Sequence, residues 1–192
     1  MANPLHLELL SEGTKTWNSW IRTHPYVVAD FSEAHLEHLN FDNAHLIGAN
    51  FIGANLSRAT FQGAYLSWSD FHNACLWATD FSGALLSKAT LSRANLRAAD
   101  LREANLYGAD LSGAILCHAL LTNTNLRDAN LSWADLNDAC LMGADLTGAD
   151  LREAFFRGAF LQGGHFSKAI IRWCDLQEID LGDVNLRAAI FV

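Results

Sequence analysis

The residues of this 192-residue chain best suited to chemistry are eight histidines, four cysteines and a large stock of carboxylates. The densest cluster is His35-Leu36-Glu37-His38. Neither it nor any combination with Cys75, Cys117, Cys140 and Cys174 has the paired spacing of a metal site, so the histidines read as solvated surface residues. A general acid–base pair needs two carboxylates held apart from the rest, yet aspartate here recurs at a fixed interval, so Asp100 and Asp110 read first as repeat features. The expectation is therefore no catalytic residue, no metal, no cofactor and no enzyme. What positions these residues is the more informative question.

From Phe31 to Phe191 every fifth residue is large and apolar: 33 positions, of which 23 are Leu, nine Phe and one Ile. Such self-similarity is read before local propensity. Taking this position as a centre, Ala stands two residues before it in 25 of 33 cases and Asp or Asn directly before it in 18. Ten of the thirteen glycines stand two residues after it. A period of five leaves no stripe on an α-helix, where it advances by about 140°, and alternates faces on a strand. The solution is a chain that turns a corner in every repeat. Each centre then points inward beside a small residue, while Asp, Asn and Gly serve the corners. A coil this narrow must stack on copies of itself through parallel β-type hydrogen bonds.

With runs such as Ala94-Asn95-Leu96, Ala99-Asp100-Leu101, Ala104-Asn105-Leu106 and Ala109-Asp110-Leu111, the chain resembles the pentapeptide-repeat proteins, whose pattern is A(D/N)LXX. The resemblance implies an all-β solenoid, a right-handed four-sided parallel β-helix with four repeats per 20-residue coil. Residues 26–192 would make about eight coils. Some members of that family protect type II topoisomerases by presenting an acidic rod that mimics duplex DNA. Those members commonly carry loops that break the coils, and this repeat runs without interruption from Phe31 to Phe191.

Residues 1–25 lie outside the repeat and read as a helical cap. Asn3-Pro4 is a helix start, Leu5, Leu9 and Leu10 give an apolar side, and Gly13 interrupts it. Thr14 begins a second helix with Trp17, Trp20 and Ile21 on one face, which Pro25 ends. A solenoid needs such a cover for its first coil. The N-terminus lacks the basic and apolar regions of a secretory signal, and no run of 18 apolar residues offers a membrane span. A cytoplasmic protein with unpaired cysteines is the expectation. The net charge of −8 disfavours direct nucleic-acid binding.

A 20-residue modulus sorts the outward residues onto four sides. The side that begins at Phe41 carries Asp42, Asp80, Asp100, Glu103, Asp180 and Asp183 against Arg102 alone. On the same side the residue before the centre turns apolar late in the chain, at Leu120, Cys140 and Phe160, with Met142 beside them. Contiguous exposed apolar surface usually marks contact. Ile115 and Phe155 depart from Asp/Asn in another column, with Asp135 between them. Trp133 and Trp173 share a side across Glu153. Lys88 should stack over Trp68 and Arg97 over Trp77. The last coil ends on Phe191 and suggests a homodimer through the C-terminal coil. The expected function is a structural scaffold or protein-interaction module with an unidentified protein partner. The alternative is a DNA mimic that protects or inhibits a type II topoisomerase.

Overall fold

The computed structural model describes residues 1–172 and 181–191. Two short helices, α1 (Pro4–Ser11) and α2 (Thr14–Thr23), precede a four-sided right-handed parallel β-helix. Each coil takes 20 residues: the residue before a centre pairs in parallel with its counterpart 20 further on, from Asp30↔Asn50 through Asp150↔Ile170. Among the described residues, only the pairing of Ile170 with Ile190 lengthens into strands, β1 (Ile170–Ile171) and β2 (Ile190–Phe191).

The five-residue repeat is a complete solution to a hydrogen-bond problem, since every buried backbone N–H needs an acceptor. In the repeat centred on Phe81, Phe81 N–H donates to Asp100 O and Gly83 N–H to Arg102 O in the next coil, while Leu85 N–H donates back to Ala64 O. Ala84 N–H closes the corner onto Phe81 O at 2.9 Å, with φ +64° at Gly83. A bond from the fourth residue to the first, with positive φ at the third, is the signature of a type II turn. That leaves the N–H of Ser82, which the Asp80 carboxylate accepts at 2.9 Å. The Asp/Asn before the centre thus serves the one donor that the coil stack cannot. The same bond recurs from Asp30 to Ser32, Asp110 to Ser112 and Asn130 to Ser132.

Inside the square, the centres from Phe31 to Ile171 and the small residues beside them are buried. Where Ser69, Thr79 or Thr124 replaces Ala, its hydroxyl donates to the backbone oxygen of Leu66, Leu56 or Leu101 respectively, which makes a buried polar group tolerable. In the first three coils phenylalanine alternates with leucine at the centres. Phe41, Phe61 and Phe81 stack at 4.4 and 4.9 Å, and Phe31, Phe51 and Phe71 at 5.2 and 4.8 Å. The two ladders meet edge to face. From Leu91 to Leu151 the described centres are all leucine.

The helices pack over the first coil. Asn3 caps α1 by accepting the Leu5 N–H, and α2 starts at Gly13, whose φ of +101° suits a residue without Cβ. Trp17 is fully buried against Phe31, with ring centroids 5.6 Å apart. One expectation fails here. The surface role read for the histidines does not hold for His6, which is buried beneath Trp17 and Trp20. Its Nδ1 accepts the Asp30 N–H at 3.0 Å, so α1 presents an imidazole rather than Leu5 to the first coil. Leu5 is exposed.

Candidate functional site

Two features compete on the side that begins at Phe41. The first is the acidic set, and most of it is spent on the fold. Asp42 accepts the Gln62 N–H, and Asp80 accepts the Ser82 N–H and the Gln62 side-chain amide, the latter at 2.6 Å. Burial alone would raise the Asp80 pKa, but the bonds from Gln62 and Ser82 outweigh it and hold the carboxyl below its ordinary value. Asp100 accepts the Arg102 N–H and also a fork from the Arg102 guanidinium, with contacts of 2.9, 3.0 and 2.5 Å. Asp183 accepts the Gly163 N–H. Glu103 is exposed. Asp180 lies outside the described residues.

The second feature is the apolar column. Leu120, Cys140 and Phe160 pair directly in successive coils, at the roughly 4.8 Å spacing of neighbouring strands. Leu120, Met142 and Phe160 stand 40%, 42% and 53% exposed, and Cys140 is half-buried. Because none of the three column residues is Asp or Asn, the N–H groups of Thr122, Met142 and Gln162 have no side-chain acceptor among the described residues. Phe155, on the adjacent side of the same coil, is also exposed, as is Ile115. Asp135 between them accepts from the Cys117 thiol at 2.9 Å. Burial first, and the Asp135 carboxylate second, push the Cys117 pKa up to about 11. Phe191, in β2, is partly exposed beside Ile190.

The remaining residues form no chemical constellation among the described residues. No group of three His, Cys, Asp or Glu could hold a metal ion. His35 faces Glu37 at 3.3 Å, His72 bonds Ser92, and His118 lies 4.0 Å from Asp138. Cys75, Cys117 and Cys140 are free thiols, and Cys174 lies outside the described residues, as does Trp173. Lys88 sits over the Trp68 ring at 4.6 Å, as its spacing requires. Over Trp77 the cation is Arg58, at 4.5 Å, not Arg97. The Arg58 N–H donates to Trp77 O, which brings its side chain diagonally onto the ring from the coil before.

A further surface escaped the sequence reading. On the side that begins at Leu46, the column His45, Tyr65 and Leu85 also departs from Asp/Asn and is exposed, with Ile47, Trp68 and Tyr107 around it. The signal was the same as for Leu120, a run of missing Asp/Asn before the centre. It borders a cleft under α2 whose shape no repeat arithmetic could show.

The sequence model for pentapeptide repeats matches residues 29–67, 64–103, 104–143 and 139–177, in eight copies. Among solved structures, HetL, a pentapeptide repeat protein involved in heterocyst differentiation regulation from the cyanobacterium Nostoc, is 27% identical, with 89% of this chain and 90% of HetL covered and a TM-score of 0.45. QnrB1, a plasmid-mediated fluoroquinolone resistance protein, is 21% identical over 85% of this chain and 82% of its own, with a TM-score of 0.61, a likeness of fold. Another Nostoc pentapeptide repeat protein is 39% identical over 50% of this chain and 83% of its own, with a TM-score of 0.45. No curated protein matches at a significant level. No helix among the described residues is long and apolar enough to cross a membrane.

Proposed function

The chain belongs to the pentapeptide-repeat family, and from that premise we propose that it is a non-enzymatic interaction scaffold. Its contact surface is the column Leu120–Cys140–Phe160 with Met142. The observation that carries this reading is that three consecutive coils give up the Asp/Asn that would serve a backbone donor and expose apolar side chains instead. A stability-driven sequence has no reason to do so. The partner is a protein with a complementary apolar strip, running along the rod axis across three coils. Residues 1–25 serve as the cap of the solenoid formed by 26–192, because Trp17 and His6 cover Phe31. A cytoplasmic location fits the free thiols.

The test is a variant that restores the family residue, L120N/C140N/F160N. Asn at these positions supplies the missing acceptors, so the fold should persist with an unchanged or higher melting temperature. Affinity capture from the host with wild type and variant side by side should then lose the specific partner in the variant. An identical set of captured proteins sinks the proposal.

The DNA-mimic reading draws on the acidic side. It is favoured by the exposed Glu103 and weakened by the internal bonding of Asp42, Asp80, Asp100 and Asp183. A gyrase supercoiling assay over a protein concentration series separates the two, and no effect at high excess dismisses it. Self-association through the last coil draws on the exposure of Ile190 and Phe191. Light scattering of wild type and Phe191→Asp tests it, and a monomer mass for wild type across the micromolar range excludes a stable dimer.

A further inference from the structure

Where α2 gives way to the first coil, the chain passes Pro25 and descends through Val27 to Ala29, leaving a cleft of about 530 Å³. Its apolar wall is made by Ile21, Pro25, Val27, Leu46 and Ile47. Leu46 is a buried core centre behind this wall, so the accessible apolar surface is supplied by Ile21, Pro25, Val27 and Ile47. Sites for small ligands have roughly 300–1,000 Å³, a mostly apolar lining and a few placed polar groups. This cleft meets all three conditions.

The walls are fixed in place before any ligand arrives. Trp17 Nε1 donates to His45 O at 2.8 Å, Asn18 Nδ2 donates to Asn43 O at 2.9 Å, and Asn18 Oδ1 accepts the His45 N–H at 2.8 Å. Those three bonds rivet α2 to the corner that forms the opposite lip, and both ends of the Asn18 amide take part in them. The His45 ring lies against Tyr65, with centroids 4.7 Å apart. Preorganisation of this kind lowers the cost of binding.

The remaining polar group is Arg22. It is the only charged residue in the lining, and no carboxylate lines the cleft. No ion pair or hydrogen bond involves its side chain among the described residues. A cation in the last turn of α2 is explained by the helix dipole, but that does not explain an apolar cleft opening beneath it. In a chain of net charge −8, an uncommitted guanidinium at the rim of an apolar cleft selects for a ligand with one negative group and a hydrocarbon body.

We infer that the cleft binds a small amphipathic monoanion, a medium-chain unbranched carboxylate. Its hydrocarbon lies on Ile47, Val27 and Ile21, and its carboxylate pairs with Arg22. Isothermal titration calorimetry of the full chain with decanoate, and separately with decyltrimethylammonium, tests this with tails of equal length and heads of opposite charge. Decanoate should bind saturably with one site per chain, and the cationic probe at least about tenfold more weakly. Arg22→Gln should weaken decanoate about tenfold, the scale of a charged hydrogen bond. Ile47→Glu, at an exposed position, should weaken it at least as much by repulsion, with melting unchanged in both variants. Absence of saturable decanoate binding, equal affinity for the two probes, or an unchanged decanoate affinity in both variants would overturn the inference. The comparison of the two probes on wild type needs no variant, so a misfolded variant cannot rescue it.

Discussion

The lower and upper coils of the side that begins at Phe41 share one backbone and differ in almost everything hung on it. Below, Phe41, Phe61 and Phe81 stack in the core, and Asp80 and Asp100 each bind the N–H two residues on. Above, Leu121, Leu141 and Leu161 fill the core, and Leu120, Cys140 and Phe160 offer that N–H no acceptor. The corner bonds and coil-to-coil bonds are the same in both, as Ala84 N–H to Phe81 O and Ala144 N–H to Leu141 O illustrate. The Asp/Asn therefore supplements the stability of a fold that the centres and small residues specify. Where it is missing for three coils in a row, the position is available for another purpose.

The largest test of this contrast lies in the core. Phe61 has four ring neighbours, at 4.4, 4.9, 5.9 and 6.1 Å, and such pairs add about 0.5–1.5 kcal/mol each beyond area burial. Phe61→Ala should cost about 3–5 kcal/mol and Leu121→Ala, on the same side three coils away, about 2–5. Denaturant unfolding of both variants measures this. A greater loss at Leu121 would show that stacked rings do not make the lower coils the firmer half.

A smaller effect is expected at the column itself, with opposite signs in the two regions. Asp100→Ala deletes the acceptor of the Arg102 N–H and should lower stability by about 1 kcal/mol, the net worth of one hydrogen bond. Leu120→Asn supplies the acceptor that Thr122 lacks and should raise stability by up to about the same amount. If Leu120→Asn destabilises instead, the apolar column is part of the core packing and not a spare surface.

The mildest effect is on pH. Burial depresses the His6 pKa below its ordinary 6.5, with the Asp30 carboxylate opposing. A histidine with a lowered folded pKa leaves stability intact above about pH 6.5 and erodes it as pH falls from there towards the folded value, because only the unfolded chain takes up the proton. Asp80, Asp145 and Asp150 are held below their ordinary 3.8, so their contribution is lost only in more acid solution. Wild type should show a first small loss in melting temperature below pH 6.5 that His6→Gln lacks. An identical pH profile in the variant would place that loss outside the cap.

The corner-turning coil and its two inward positions were legible because each is repeated dozens of times and every copy obeys the same steric rule, while the number of sides came only from the resemblance to the pentapeptide-repeat proteins. The role of Asp/Asn as a corner residue was legible too, although the specific N–H it serves required the backbone. His6 was not legible, since it sits outside the repeat and its burial depends on how α1 lands on Phe31. Arg58 over Trp77 was missed because stacking by 20 sees vertical neighbours and not diagonal ones. The turn type was half visible. Gly83 announces a positive φ, but Trp68 and Trp133 adopt φ of +65° and +63° at the same corner position, where the bond network overrides their preference.

The repeat length and the coil length are five and 20, and the ratio has a consequence for how such a chain changes. Removing 20 residues shortens the rod by one coil and leaves every face in line. Removing five, for instance 106–110, keeps every centre inward and every small residue beside it, yet turns all that follows by a quarter revolution. Leu120, Cys140 and Phe160 would then rise above Asn95 instead of Asp100. Surfaces on this molecule can therefore be re-indexed against one another, like wards on a key, without disturbing the core.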